Sequence, residues 1–186
     1  MAVLNAPADS LIGLALVTAL IVPCSAQAQT ADEYQVKAAY MYNLAKFVDW
    51  PSDAFDSPSQ PIVFCVLGQT PLSPALQDAL AGKVVGQRPL LFRQLSDPKQ
   101  AGDCKVLFIG LQEKKRLRQI LDQVKSLHVL TVGEDEDFTK DDGIVRFYLD
   151  AGRVRLEFNL DATEDAKLRV SSKLLSLGRT VRRGGK

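Results

Sequence analysis

Between Pro61 and Gly133 the chain alternates apolar runs with stretches whose apolar residues recur at helical spacing. PIVFCVLG (61–68), CKVLFIG (104–110) and HVLTVG (128–133) are dominated by apolar residues and end on glycine, and RPLLFRQL (88–95) adds a further strand. Between them, SPALQDALAG (73–82) reads as a short helix closed by Gly82. QEKKRLRQILDQVKSL (112–127) reads as another, repeating Leu117, Ile120, Leu121, Val124 and Leu127 on one face. Strands apolar on both faces and separated by helices predict a mostly parallel sheet covered on both sides.

The rhythm then changes. GIVRFYLDAGRVRLEFNL (143–160) alternates apolar and polar residues around Asp150-Ala151-Gly152, which predicts an antiparallel hairpin extending the sheet. DATEDAKL (161–168) and SSKLLSLGRTV (171–181) then read as C-terminal helices, opening on Asp161 and Ser171 as N-caps. At the other end, EYQVKAAYMYNLAKFVDWP (33–51) reads as one helix stopped by Trp50-Pro51. Its helical wheel places Val36, Tyr40, Leu44, Phe47 and Val48 on one stripe with Asn43 inside it, so Asn43 should find a hydrogen bond.

Composition changes this picture little. The 186 residues are 46% apolar and 24% charged, ordinary for one globular domain, and 23 basic against 22 acidic residues give no reason to expect nucleic acid or an anionic membrane as partner. The leader matters more. The uncharged apolar run LIGLALVTALIV (11–22) is too short to span a bilayer and suits a signal peptide, with Ala26-Gln27-Ala28 as its cleavage pattern. Residues 1–28 are therefore read as a signal peptide cleaved near Ala28, residues 29–181 as one domain, and 182–186 as a frayed tail. Against this stand an n-region without Lys or Arg and the position of Cys24, where a lipoprotein cysteine could sit, although Pro23 precedes it. Export leaves two cysteines, Cys65 and Cys104, in an oxidising compartment; a disulfide is favoured, with two separate buried thiols as the alternative.

The chain offers little catalytic chemistry. Its one histidine, His128, opens an apolar strand, where a structural role outweighs general-base work; one His and two Cys leave transition metals short of ligands. No strand is followed by a phosphate-binding glycine loop. EDEDFTKDD (134–142) carries six carboxylates but fails the EF-hand pattern, with Lys140 where glycine belongs, and reads as a solvated acidic loop. Ser171 and Ser172 lack a nucleophile-elbow context. A hydrolase or transferase is disfavoured, and a regulatory or binding module without cofactor is the better reading.

Two stretches carry a resemblance. YQVKAAYMYNLAKFVDWP at the start and GRVRLEFNLDATEDAKLRVSSKLLSLGRTV at the end resemble the two signature ends of the YfiR family, exported bacterial proteins typified by a periplasmic repressor. The resemblance implies a three-layer α/β sandwich that forms homodimers and holds an inner-membrane diguanylate cyclase inactive by binding its periplasmic sensor domain. Cyclic di-GMP and biofilm formation would fall accordingly. It implies that Cys65 and Cys104 form a family disulfide; the second, more C-terminal bridge of some members has no counterpart, and Asp142-Gly143 stands where Gly-Gly usually opens the hairpin. It points to Glu157, Asn159, Leu160, Val170, Ser171, Ser172, Lys173 and Leu174 as partner-binding candidates, with Glu157 buried or interfacial. Tyr40, Asn43, Phe47 and Trp50 are the matching scaffold positions. The competing expectation is a small-molecule sensor with a crevice at the carboxyl ends of the parallel strands, near Gly68, Gly110 and Gly133.

Overall fold

In the strand Ile62–Leu67 every side chain is buried, and its residues divide by parity: Ile62, Phe64 and Val66 enter one core cluster, Val63, Cys65 and Leu67 the other. Successive side chains of a strand point to opposite faces, so a wholly apolar strand must be covered twice. A computed structural model describes residues 25–183, with Ala2; of residues 25–31 only the backbone is described. Most of the expected leader, and the end of the tail at 184–186, lie outside the described residues.

The elements are α1 (Ser25–Phe47), β1 (Val48–Asp49), β2 (Ile62–Leu67), α2 (Leu72–Leu80), β3 (Val84–Val85), β4 (Arg88–Leu95), β5 (Val106–Ile109), α3 (Leu117–Val124), β6 (Leu130–Gly133), β7 (Val145–Asp150), β8 (Arg153–Asn159), α4 (Leu160–Asp165), β9 (Arg169–Val170), α5 (Ser172–Leu175) and β10 (Gly178–Val181). Eight strands form one mixed sheet in the order β10-β8-β7-β6-β5-β2-β4-β3. The run from β4 to β7 is parallel, β8 returns antiparallel as the hairpin partner of β7, and β10 lies parallel to β8. Helices α1 and α2 cover one face and α3 the other, giving a three-layer α/β sandwich.

Several local expectations are corrected. Helix α1 ends at Phe47 instead of running to Trp50; it buries Lys37, Ala38, Met41, Leu44 and Ala45, a stripe rotated from the expected one, and leaves Val36 39% exposed. The two alanines let it lie close against the sheet and α2. Asn43 is half-buried, so water is within reach and the demand for a protein partner relaxes. The helix expected over 171–181 is one turn, Ser172–Leu175, followed by strand β10. Ser171 does cap that turn, its hydroxyl accepting from the Leu174 N–H, whereas α4 is capped by Asn159 instead of Asp161. His128 precedes its strand in a left-handed turn at φ 53°. The loop 134–142 is not simply solvated: Asp135, Phe138 and Thr139 are buried in it.

The disulfide Cys65–Cys104 joins β2 to the turn before β5 on the α3 side, with Cα atoms 5.9 Å apart. With 39 residues of sequence separation, such a cross-link removes about 4 kcal/mol of unfolded-chain entropy in the loop model.

Candidate functional site

The hairpin register places Arg146 directly opposite Glu157. Val145, Phe147, Leu156 and Phe158 point into the core beneath α1, so Arg146, Tyr148, Arg155 and Glu157 project to the other face. Helix α3 packs with the core built from β2, β5 and the strands beside them, and this end of the sheet has the loop 134–142 against it instead.

Glu157 is 4% exposed and lies at the centre of this face. The Thr139 hydroxyl donates to its Oε1 at 2.5 Å, Arg146 Nε to the same oxygen at 3.0 Å, and Arg179 Nε, from β10, to Oε2 at 2.5 Å. Burial pushes the carboxyl pKa up, but the Thr139 hydrogen bond and the two guanidinium groups outweigh it and hold the group below its ordinary value. Tyr148 stacks beside both cations, its ring centroid 5.0 Å from the Arg146 guanidinium and 4.7 Å from that of Arg179.

Next along β8, Asn159 is 2% exposed and satisfied in three directions. Its amide donates to the Thr139 carbonyl at 2.8 Å, its side-chain oxygen caps α4 through the Ala162 N–H at 3.0 Å, and its own carbonyl accepts from the Thr163 hydroxyl at 2.7 Å. Glu157 and Asn159 thus hold the loop, the sheet and α4 together. Above them opens a cleft of about 640 Å³ lined by Lys140, Arg146, Arg179, Val181 and their neighbours.

The remaining candidates divide between two places. Val170 pairs with Val48 in a two-stranded sheet, β1 with β9, and the Ser171 N–H donates to the Phe47 carbonyl at 2.9 Å, so the opening and closing motifs meet. The Lys173 ammonium lies 5.4 Å from the Phe47 ring, and Tyr40 stacks on Phe147 at 6.2 Å. Ser172 and Lys173 are exposed, Leu160, Val170 and Ser171 half-buried, and Leu174 fully buried. Trp50 lines a second open cleft, of about 540 Å³, with Asp49, Glu164, Lys167 and Arg169.

Thr139, Arg146 and Arg179 were missed in the sequence. Arg146 was legible by counting back from the turn at Ala151-Gly152; Thr139 and Arg179 were not, because their contacts with Glu157 span 18 and 22 residues. A second ionic centre was also hidden. Lys37, 3% exposed, pairs with Glu33 and with Glu134 at 2.8 Å; burial lowers its pKa, but the two carboxylates raise it further. Of the three glycines near which a crevice was expected, Gly133 is closed off: the Phe138 ring sits where a Cβ on Gly133 or Gly143 would come within 2.3 Å of it.

Fold and site together define a three-layer α/β domain with a buried, doubly paired carboxylate in a sheet-face cleft. The model of the YfiR/HmsC-like family, DUF4154, matches residues 34–179, and the chain belongs to that family. No curated protein matches the chain. Among solved structures, a conserved domain protein from Vibrio cholerae O1 biovar eltor is similar at TM-score 0.55 and 9% identity, over 81% of this chain and 60% of that one. The ABC domain in complex with L-Trp from Streptococcus pneumonia is similar at TM-score 0.53 and 6% identity, over 80% of this chain and 60% of that one. At these identities the likeness is one of fold alone, and the chain spans about 60% of the length of each of these relatives. Among the described residues, no helix is long and apolar enough to cross a membrane.

Proposed function

We propose that the protein is an exported regulator which binds the periplasmic sensor domain of an inner-membrane diguanylate cyclase and holds the enzyme inactive, lowering cyclic di-GMP and biofilm formation. Membership of the YfiR/HmsC-like family carries this reading. The structure supports it with an open cleft beside which Glu157 fixes Arg146 and Arg179, since binding surfaces concentrate energy in a few rigidly held polar and aromatic anchors. In this reading the protein is regulatory instead of catalytic, works as a homodimer in the periplasm after loss of residues 1–28, and uses Glu157, Asn159, Leu160, Val170, Ser171, Ser172 and Lys173 at or beside its contact surface, with Leu174 as the buried anchor of that turn.

The experiment is a pull-down of residues 29–186 with the periplasmic domain of a diguanylate cyclase, with and without reductant. Retention under oxidising conditions supports the repressor. Loss on reduction adds control through Cys65–Cys104; no retention under either condition sinks the reading. A small-molecule sensor is the second reading, favoured by the 640 Å³ cleft beside Glu157, which has the volume of a ligand site. A ligand-dependent rise in melting temperature distinguishes it, because anything that binds only the folded state must stabilise it.

A further inference from the structure

Strand β10 closes the sheet at its β8 edge, yet none of its four residues is buried. What holds the last segment is its backbone ladder to β8 together with charge. Arg179 reaches Glu157; Arg182 pairs with Asp161 at 2.6 Å and Glu164 at 3.0 Å; Arg183 pairs with Asp142 at 2.8 Å and Asp165 at 2.6 Å, and its backbone N–H donates to Asp161 at 2.5 Å. The chain before it is anchored differently, by the fully buried Leu174, and Ser176 and Leu177 between the two are exposed. Apolar burial therefore ends at α5. Apart from Arg179–Glu157 these ion pairs are largely exposed, individually weak and screened by salt, so the edge strand at 178–183 is held with little apolar burial and is open to detachment.

Detachment leaves a specific surface. The edge of β8 regains unpaired backbone groups, a template for another extended segment. Asp142, Asp161 and Glu164 lose every cationic partner they have among the described residues, while Glu157 keeps Arg146 and Asp165 keeps Lys125. Backbone and charge select the same occupant, an extended chain bearing Arg or Lys. We infer that the β8 edge is a docking groove for a basic extended segment of a partner protein, and that this chain's own residues 178–183 occupy it until displaced. The inference deepens the partner-binding reading of Glu157 and Asn159 and rests on it for biological meaning, but its test needs no cyclase.

The test uses residues 29–186 and a fluorescein-labelled peptide, LGRTVRRGGK, which copies residues 177–186. In Arg182→Glu/Arg183→Glu the resident strand is held less firmly, so the groove is vacant more of the time. Fluorescence anisotropy at low salt should then show the peptide binding this variant at least about tenfold more tightly than wild type. A peptide with glutamate for each arginine should not bind. Equal binding of the two peptides, or equal affinity for the two proteins, overturns the inference. So does a dimer whose formation the peptide blocks, since that would make a second copy's C-terminal strand the occupant. Hydrogen exchange on the wild type covers failure of the variant to fold: the β10 amides paired to β8 should exchange about tenfold faster than those of β7, and more so in high salt. Exchange as slow as that of β7 overturns the inference, and leaves the repressor reading standing if the pull-down succeeds.

Discussion

Trp50 donates its indole N–H to the carbonyl of His128 at 3.1 Å, across 78 residues of sequence. His128 is held in its left-handed turn from two sides, because its ring nitrogen Nδ1 also lies 3.0 Å from the Ala166 carbonyl. Trp50, directly after β1, is thus a peg for the turn entering β6. Trp50→Phe keeps most of the apolar contact and leaves a partly buried carbonyl unpaired. It should cost about 1 kcal/mol, read as a lower urea midpoint with unchanged slope.

The disulfide should matter more. Replacing Cys65 and Cys104 together by serine removes the cross-link without leaving a reactive thiol. The variant should lose about 4 kcal/mol against the oxidised wild type, and reductant should lower the wild type towards it. Equal denaturant midpoints for the oxidised wild type and the variant would refute this.

Glu157 predicts a pH dependence of known sign. Its carboxyl is held below the ordinary value in the fold, so the stability it contributes is complete above the unfolded pKa of about 4.3 and is lost as pH falls through the lower folded value. Glu157→Gln should cost about 3 kcal/mol near neutrality, as for removal of one member of a buried ion pair. The gap between variant and wild type should close only below about pH 4. A gap that stays constant into that range would show that packing, not charge, dominates at this position.

Phe138 occupies the space of two absent side chains. Gly133→Ala places a methyl group against its ring, and overpacking of this kind costs about 1–3 kcal/mol. Combined with Phe138→Leu, which shortens the ring away, the two costs should fall short of their sum by at least about 0.5 kcal/mol in a double-mutant cycle. Strict additivity would mean the loop moves as a whole.

How much of this was legible depended on how far each contact reaches along the chain. Strands β2, β5 and β6 and the hairpin were readable because local burial writes itself as local pattern. So was Ser171 as a cap, whose acceptor and donor lie three residues apart. The segment after it was misread as helix because Ser-Lys-Leu-Leu-Ser-Leu has helical spacing. What makes 178–181 a strand is the edge of β8, to which Gly178 lies so close that a Cβ would meet the Leu156 carbonyl at 2.5 Å. The buried role of Lys37 could not be read for a similar reason: it depends on Glu134, 97 residues away. Of the candidate site, Glu157 and Asn159 were found through family resemblance, and their partners only through the fold.

The small sheet joining Val48 to Val170 also sets a schedule for synthesis. The end of the first long helix cannot be fastened until a segment more than 120 positions downstream has been made, and α5 and β10 come later still. Until that segment is present the earliest helix lacks part of its final surroundings. Truncated products ending before Arg169 would leave the end of this helix without its strand partner and more open to proteases.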